Sequence, residues 1–197
     1  LFRSGEAKVF DAAISTDVPG LDVVPSTVDL AGIELELIDM ERREYRLRDA
    51  LAGGGGDYDY ILVDCPPSLS LLTLNGLVAA DAVLVPLQCE FFALEGLTHL
   101  LKTIERVRQS LNPTLELQGV VLTMADTRNN LTNMVASDVR DFLGSKVYDT
   151  IIPRNVRVSE APSHGKPVLL YDFKCPGSQA YIQLAREVIK REEARVA

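Results

Sequence analysis

Residues Tyr58–Ser68 read YDYILVDCPPS, and in them four apolar or aromatic positions, Tyr60–Val63, end in a bare carboxylate, Asp64. A short continuous run of bulky apolar residues predicts a strand buried on both faces. Asp64 then falls at the carboxyl end of that strand, where open α/β sheets bind their ligands. A hard cation takes oxygen ligands, so a carboxylate there can hold magnesium, often through water, while a bound triphosphate supplies other oxygens. The same acid could simply cap the Pro66-Pro67-Ser68 turn, and a run of apolar residues followed by Asp does not decide between the two.

Other chemistry-bearing residues offer less. His99 lies in a helical stretch and His164 in the loop APSHGKP, neither with a partner in the pattern, and both read as ordinary surface or packed histidines. Cys65, Cys89 and Cys175 are odd in number and widely spaced, which argues against a disulfide framework and against a thiolate metal site. Gln88, Glu90 and Glu95 follow the predicted strand Ala82–Leu87, at the sheet end where ligands bind, and are not taken as catalysts. Two glycine-containing stretches fail as phosphate loops. Gly53–Gly56 has no Lys and no Ser or Thr after it, and Gly165-Lys166 runs into Pro167 instead of Ser or Thr opening a helix. No catalytic residue is assigned.

The elements that must position Asp64 follow from periodicity. Mostly continuous apolar runs at Leu21–Pro25, Tyr60–Val63, Ala82–Leu87, Leu117–Met124, Tyr148–Ile152 and Val168–Tyr171 predict strands covered on both faces. Between them, Leu94, Leu97, Leu101, Ile104, Val107 and Leu111 recur at helical spacing, with Lys102, Glu105, Arg106 and Arg108 opposite. Asn130–Leu143, closed by Gly144, reads as a second helix, with further helical stretches over Val28–Leu51 and Gln179–Ala194. Strand and helix in alternation predict a doubly wound, mostly parallel α/β sheet with helices on both faces, in a single domain.

Charge is unevenly spread. The chain of 197 residues carries a net charge of −8, but residues 1–123 hold 19 acidic against 9 basic side chains, whereas residues 124–197 hold 9 against 11. The C-terminal part can therefore present a modest basic surface, or only an ordinary solvated face. No apolar run approaches the length of a membrane span, and the first residues do not read as a signal peptide, so a cytoplasmic location is expected.

Four longer segments carry a resemblance. They are PSTVDLAGIELEL (Pro25–Leu37), VDCPPSLSLLTLNGLVAADAVLVPLQCEFFALEGL (Val63–Leu97), GVVLTMADTRNNL (Gly119–Leu131) and IIPRNVRVSEAPSHGKPVLLYD (Ile151–Asp172). Together they closely resemble the ParA/Soj family of chromosome- and plasmid-partitioning ATPases, P-loop proteins of the MinD/ParA superfamily. The resemblance implies that Asp64 is the Walker B acid for magnesium, and that Cys65–Ser68 matches the switch sensing the terminal phosphate of ATP. It implies that Pro153 and Asn155 belong to the loop holding the adenine, with a plain strand-to-loop turn as the alternative. It also implies that Arg128 and Arg157 bind DNA non-specifically, the alternative being surface ion pairs with Asp126 or Glu160. Expected partners are non-specific DNA of the nucleoid, a centromere-binding ParB-type protein and a second copy in a nucleotide-dependent homodimer.

Against the family pattern, the strand, lysine-bearing phosphate loop and acidic loop that open such proteins are not found, so Leu1 is expected to begin inside the family's fold, the chain being either a truncated gene product or a fragment of a longer one, and this chain alone is expected to be inactive. One relative of other function fits less well. A division-site (MinD-like) ATPase would end in an amphipathic membrane helix, whereas the KREEARVA ending is short of apolar bulk. A non-catalytic DNA-binding or interaction module derived from the family is the remaining alternative.

Overall fold

The computed structural model describes residues 9–54, 58–66, 68–126 and 128–196, and of Ala31, Arg195 and Val196 only the backbone. Two compact units arise, Leu1–Ala82 with Ile104–Glu116, and Val83–Thr103 with Leu117–Ala197.

The second unit is built on a three-stranded sheet, β3 (Ala82–Gln88), β4 (Glu116–Ala125) and β5 (Val147–Pro153), in the spatial order β3-β4-β5. Val120 of β4 lies opposite Val147 of β5 and Leu122 opposite Ile151, in parallel. Parallel neighbours require a crossover, and α4 (Ala93–Ser110) and α5 (Asn130–Leu143) provide the two. Val120 and Leu122 pack with Val85, Leu97, Val135 and Val139 under these helices. Val121, between them in sequence, points the other way and packs with Tyr148, Ile152, Ala180 and Leu184 under α8 (Pro176–Val196). Period-two alternation between two apolar cores is what a sheet covered on both faces demands. The expected α/β class is thus what forms.

β5 is an edge strand, and an edge leaves backbone groups unpaired. Two side chains of α8 meet them. Glu187 accepts from the Asp149 and Thr150 amides at 2.9 and 3.0 Å, and Arg191 donates to the Ser145 and Val147 carbonyls at 3.0 and 2.9 Å. Arg191 also pairs with Glu187 at 2.8 Å. Burial opposes ionisation of Glu187, but the two amides and Arg191 outweigh it and hold the carboxyl below the usual carboxylate range. A depressed folded pKa means stability that is complete above the unfolded value, about 4.3, and lost as pH falls through the folded one. Glu187→Gln is therefore expected to flatten the fall of melting temperature on acidification below about pH 4.3, measured by thermal circular dichroism. An unchanged acid limb would mean that Glu187 carries none of it.

In the first unit an antiparallel ribbon, β1 (Ile14–Ser15) with β2 (Asp22–Val23), precedes α1 (Asp29–Leu37), α2 (Arg46–Leu51) and α3 (Leu71–Ala79). Two buried asparagines organise it. Asn75 accepts from the Leu47 amide at 3.1 Å and donates to the Arg43 and Leu71 carbonyls, both at 2.9 Å. Asn112 turns its amide nitrogen to the carbonyls of Leu77, Val78 and Ala80, at 3.1, 3.3 and 2.8 Å, which a helix end would otherwise leave without partners. Asn112→Ala is expected to cost about 2–3 kcal/mol, lowering the melting temperature by roughly 4–12 °C. An unchanged calorimetric transition would show that these carbonyls find water freely.

Four expectations are corrected. The helix over Val28–Leu51 is broken between α1 and α2, because Arg42 adopts a left-handed backbone (φ 55°) while its guanidinium reaches Asp49 at 3.1 Å. Within Leu21–Pro25 only Asp22–Val23 is strand, and it pairs in the antiparallel ribbon, not in the parallel sheet. Val168–Tyr171 is one helical turn, α7, whose end is held by Ser178 donating to the Val168 and Asp172 carbonyls. Tyr60–Val63 joins no sheet among the described residues; its side chains stay exposed, Leu62 at 91%. A strand needs a ladder partner, and no described strand supplies one here.

Candidate functional site

In the first unit, Asp64 is exposed at the end of Tyr60–Val63, and the chain beyond it is anchored at α3. Ser70 caps that helix, accepting from the Thr73 amide at 3.5 Å, and Thr73 donates to the Ser68 carbonyl at 2.7 Å. Glu34 accepts from the Leu72 amide at 3.1 Å, and its hydrogen bonds to Ser70 and Leu72 hold its carboxyl below the usual range. Val63 and Cys65 lie against α3 where Gly76 has no side chain; a Cβ there would stand 2.8 Å from the Cys65 sulfur. Desolvation where it lies against α3, and then the Asp64 charge, push the thiol of the exposed Cys65 up.

Can Asp64 serve magnesium? Among the described residues no group of three or more His, Cys, Asp or Glu could cage a metal ion. A lone exposed carboxylate supplies one or two of the six oxygens magnesium requires, which fits an ion carried mainly by phosphates and water. Pro67, within the expected phosphate-sensing segment, lies outside the described residues.

In the second unit the other expected residues sit on two adjacent strand ends. β4 loses register between Leu122 and Ala125, and Met124 takes a left-handed backbone (φ 53°), a strained conformation for a residue with a side chain. The loop that follows presents Arg128, which makes a two-pronged pair with Asp126, Nε to Oδ1 at 2.9 Å and Nη2 to Oδ2 at 2.8 Å. Those hydrogen bonds hold the Asp126 carboxyl down at about 2. The end of β5 is tied to β4 by the Arg154 amide donating to the Ala125 carbonyl at 2.9 Å.

Pro153 closes β5, and Asn155 caps the short helix α6 (Val156–Glu160), its side-chain oxygen accepting from the Arg157 amide at 2.9 Å. That commitment leaves the Asn155 NH2 group as the part free to meet a ligand. Arg157 pairs with Glu160 at 2.9 Å and with Asp172 at 3.5 Å. Both arginines thus make ion pairs, the alternative weighed from sequence; exposed pairs of this kind are worth little.

A cavity of 710 Å³ lies beside Pro153, walled by Cys89, Ala125, Arg140, Pro176 and Gln179 among others. Arg140, half-buried on α5, was not legible as a cavity residue, because one basic side chain on a helix looks like any solvated position. His99 is exposed, and His164 stacks on Tyr171 at 4.9 Å, as ordinary histidines do.

An AAA-domain family model matches residues 2–117. Among solved structures, cobyrinic acid a,c-diamide synthase from Mycobacterium smegmatis with bound ADP and magnesium is similar at TM-score 0.79 and 38% identity, over 96% of this chain and 69% of that one. The cell division ATPase MinD of Pyrococcus furiosus shares the fold, at TM-score 0.73 and 24% identity, over 95% of this chain and 73% of that one. These neighbours place the fold among the P-loop nucleoside triphosphatases.

The chromosome partitioning protein ParA of Caulobacter vibrioides is 68% identical over 195 residues, 98% of this chain and 73% of that protein. The sporulation initiation inhibitor protein Soj of Bacillus subtilis is 52% identical over 183 residues, 93% of this chain and 72% of that protein. The chain belongs to the ParA/Soj family of the MinD/ParA superfamily. Among the described residues no helix is long and apolar enough to cross a membrane.

Proposed function

We propose that the full-length gene product is a chromosome-partitioning ATPase that binds ATP with magnesium, dimerises with nucleotide between the subunits and coats DNA non-specifically in the cytoplasm. The observation that carries this is the 68% identity to a chromosome partitioning protein over nearly the whole chain. That level of identity, well above the 38% shared with the diamide synthase, favours partitioning over small-molecule amidation.

In this reading Asp64 takes the magnesium ion through oxygen or water, and Pro153 offers a flat apolar face to the adenine while the Asn155 NH2 donates to a ring nitrogen. Magnesium, when bound, neutralises charge on the β- and γ-phosphates. Arg128 and Arg157 exchange their carboxylate partners for DNA phosphates. A centromere-binding ParB-type partner discharges the complex. Steady-state phosphate release by the full-length gene product, with magnesium, with and without DNA and the partner, tests the whole. Hydrolysis that needs magnesium and rises with DNA and partner is expected; tight nucleotide binding without turnover would instead favour a non-catalytic module of the family.

A further inference from the structure

We propose that Gly177 is a positioning residue: its missing side chain lets the first turn of α8 seat the turn that carries both Asn155 and Arg157. The proposal rests on the reading above, in which Asn155 meets nucleotide and Arg157 meets DNA. Gly177 is the second residue of α8, directly after Pro176, and glycine weakens a helix relative to alanine. Its backbone here is not left-handed, so conformational need does not explain it. Space does. A Cβ built on the buried Gly177 would collide with Val158 Cγ2 and stand 3.4 Å from Asn155 Cβ and 3.5 Å from Asn155 Cγ.

Which side would give way? The start of α8 is pinned. The fully buried Ser178 donates to the Asp172 carbonyl at 2.6 Å and the Val168 carbonyl at 3.1 Å, and the Cys175 amide donates to Asp172 Oδ1 at 3.2 Å. The opposing helix α6 has five residues, too few to hold itself by helix formation alone. It depends on Asn155, whose side-chain oxygen accepts from the Arg157 amide at 2.9 Å and whose main-chain oxygen accepts from the Val158 amide at 3.2 Å. Val158 cannot easily swing aside, because a β-branched side chain has one strongly preferred rotamer in a helix. A Cβ at position 177 therefore pushes α6, and the push is delivered to Asn155 and Arg157 together, since one hydrogen bond joins them.

The test compares the full-length gene product with Gly177→Ala, Val158→Ala and the double variant Gly177→Ala/Val158→Ala. The readouts are affinity for a fluorescent ATP analogue with magnesium, DNA affinity across a salt series, and melting temperature. Gly177→Ala is expected to weaken both ligands on the order of tenfold and to flatten the salt slope as Arg157→Ala does. Val158→Ala makes room for the new methyl group, so the double variant should match Val158→Ala within about twofold.

A Gly177→Ala protein that binds both ligands like wild type overturns the proposal, even if it melts lower. So does a double variant as impaired as the single one, or one that fails to fold when Gly177→Ala also fails. Asn155→Ala and Arg157→Ala separate the two claims. If both bind as wild type does, the functional reading of those residues falls, whereas the seating is judged by whether Val158→Ala reverses the loss at Gly177.

Discussion

Asp64→Ala in the full-length gene product is expected to reduce magnesium-dependent ATP hydrolysis by roughly a hundredfold or more while leaving the melting temperature unchanged. The two halves of that result have separate causes. Phosphoryl transfer depends on positioning and charge neutralisation more than on covalent chemistry, so a ligand that fixes the metal contributes at the transition state. Stability is untouched because Asp64 is exposed and, among the described residues, its carboxylate makes no hydrogen bond or ion pair. Asp64→Asn should behave like Asp64→Ala, since an amide keeps the shape and loses the charge that magnesium needs. Wild-type turnover in either variant would return Asp64 to the role of a turn residue.

How far the sequence foretold the molecule depends on the length of each signal. α4 and α5 were legible because several turns of apolar periodicity ended in readable stops, Pro113 after one and Gly144 after the other. The sheet was legible because β3, β4 and β5 each hold a mostly apolar run, as strands covered on both faces do. Val168–Tyr171 was not, because four residues carry no period, and its helical turn is closed by Ser178, whose hydroxyl arrives from α8. Tyr60–Val63 has the composition of a central strand, yet composition cannot supply a ladder partner, and among the described residues there is none.

At the candidate site, single residues divide in the same way. Asp64 could be singled out because it lies where a strand run stops, a place with its own chemistry, whereas Asn155 was singled out by the family resemblance alone. Gly177 and Arg140 could not. A glycine near a helix start and an arginine on a helix face are common, and only the close approach of Val158 and the cavity beside Pro153 give them meaning. Arg128 was singled out by the resemblance, with Asp126 two residues back weighed as its ion-pair partner, and the structure makes that pair, a competitor for any phosphate.

That competitor sharpens the DNA prediction. Replacing Arg128 and Arg157 together by Ala in the full-length gene product is expected to weaken binding to every DNA sequence alike. The slope of log affinity against log salt should fall by roughly two units, about one for each lost phosphate contact. Nucleotide affinity should survive, because the proposed metal and adenine residues, Asp64, Pro153 and Asn155, are left in place. Asp126→Asn tests the same contact in the opposite direction. Arg128 is 87% exposed, and Asp126, held ionised with its carboxyl at about 2, competes for its guanidinium at any physiological pH. Removing that charge should tighten DNA binding, and most at low salt, where the gained phosphate contact is least screened. If the double alanine variant holds DNA as well as wild type at the same salt, and Asp126→Asn changes nothing, both arginines belong to ordinary surface ion pairs and DNA must be bound elsewhere.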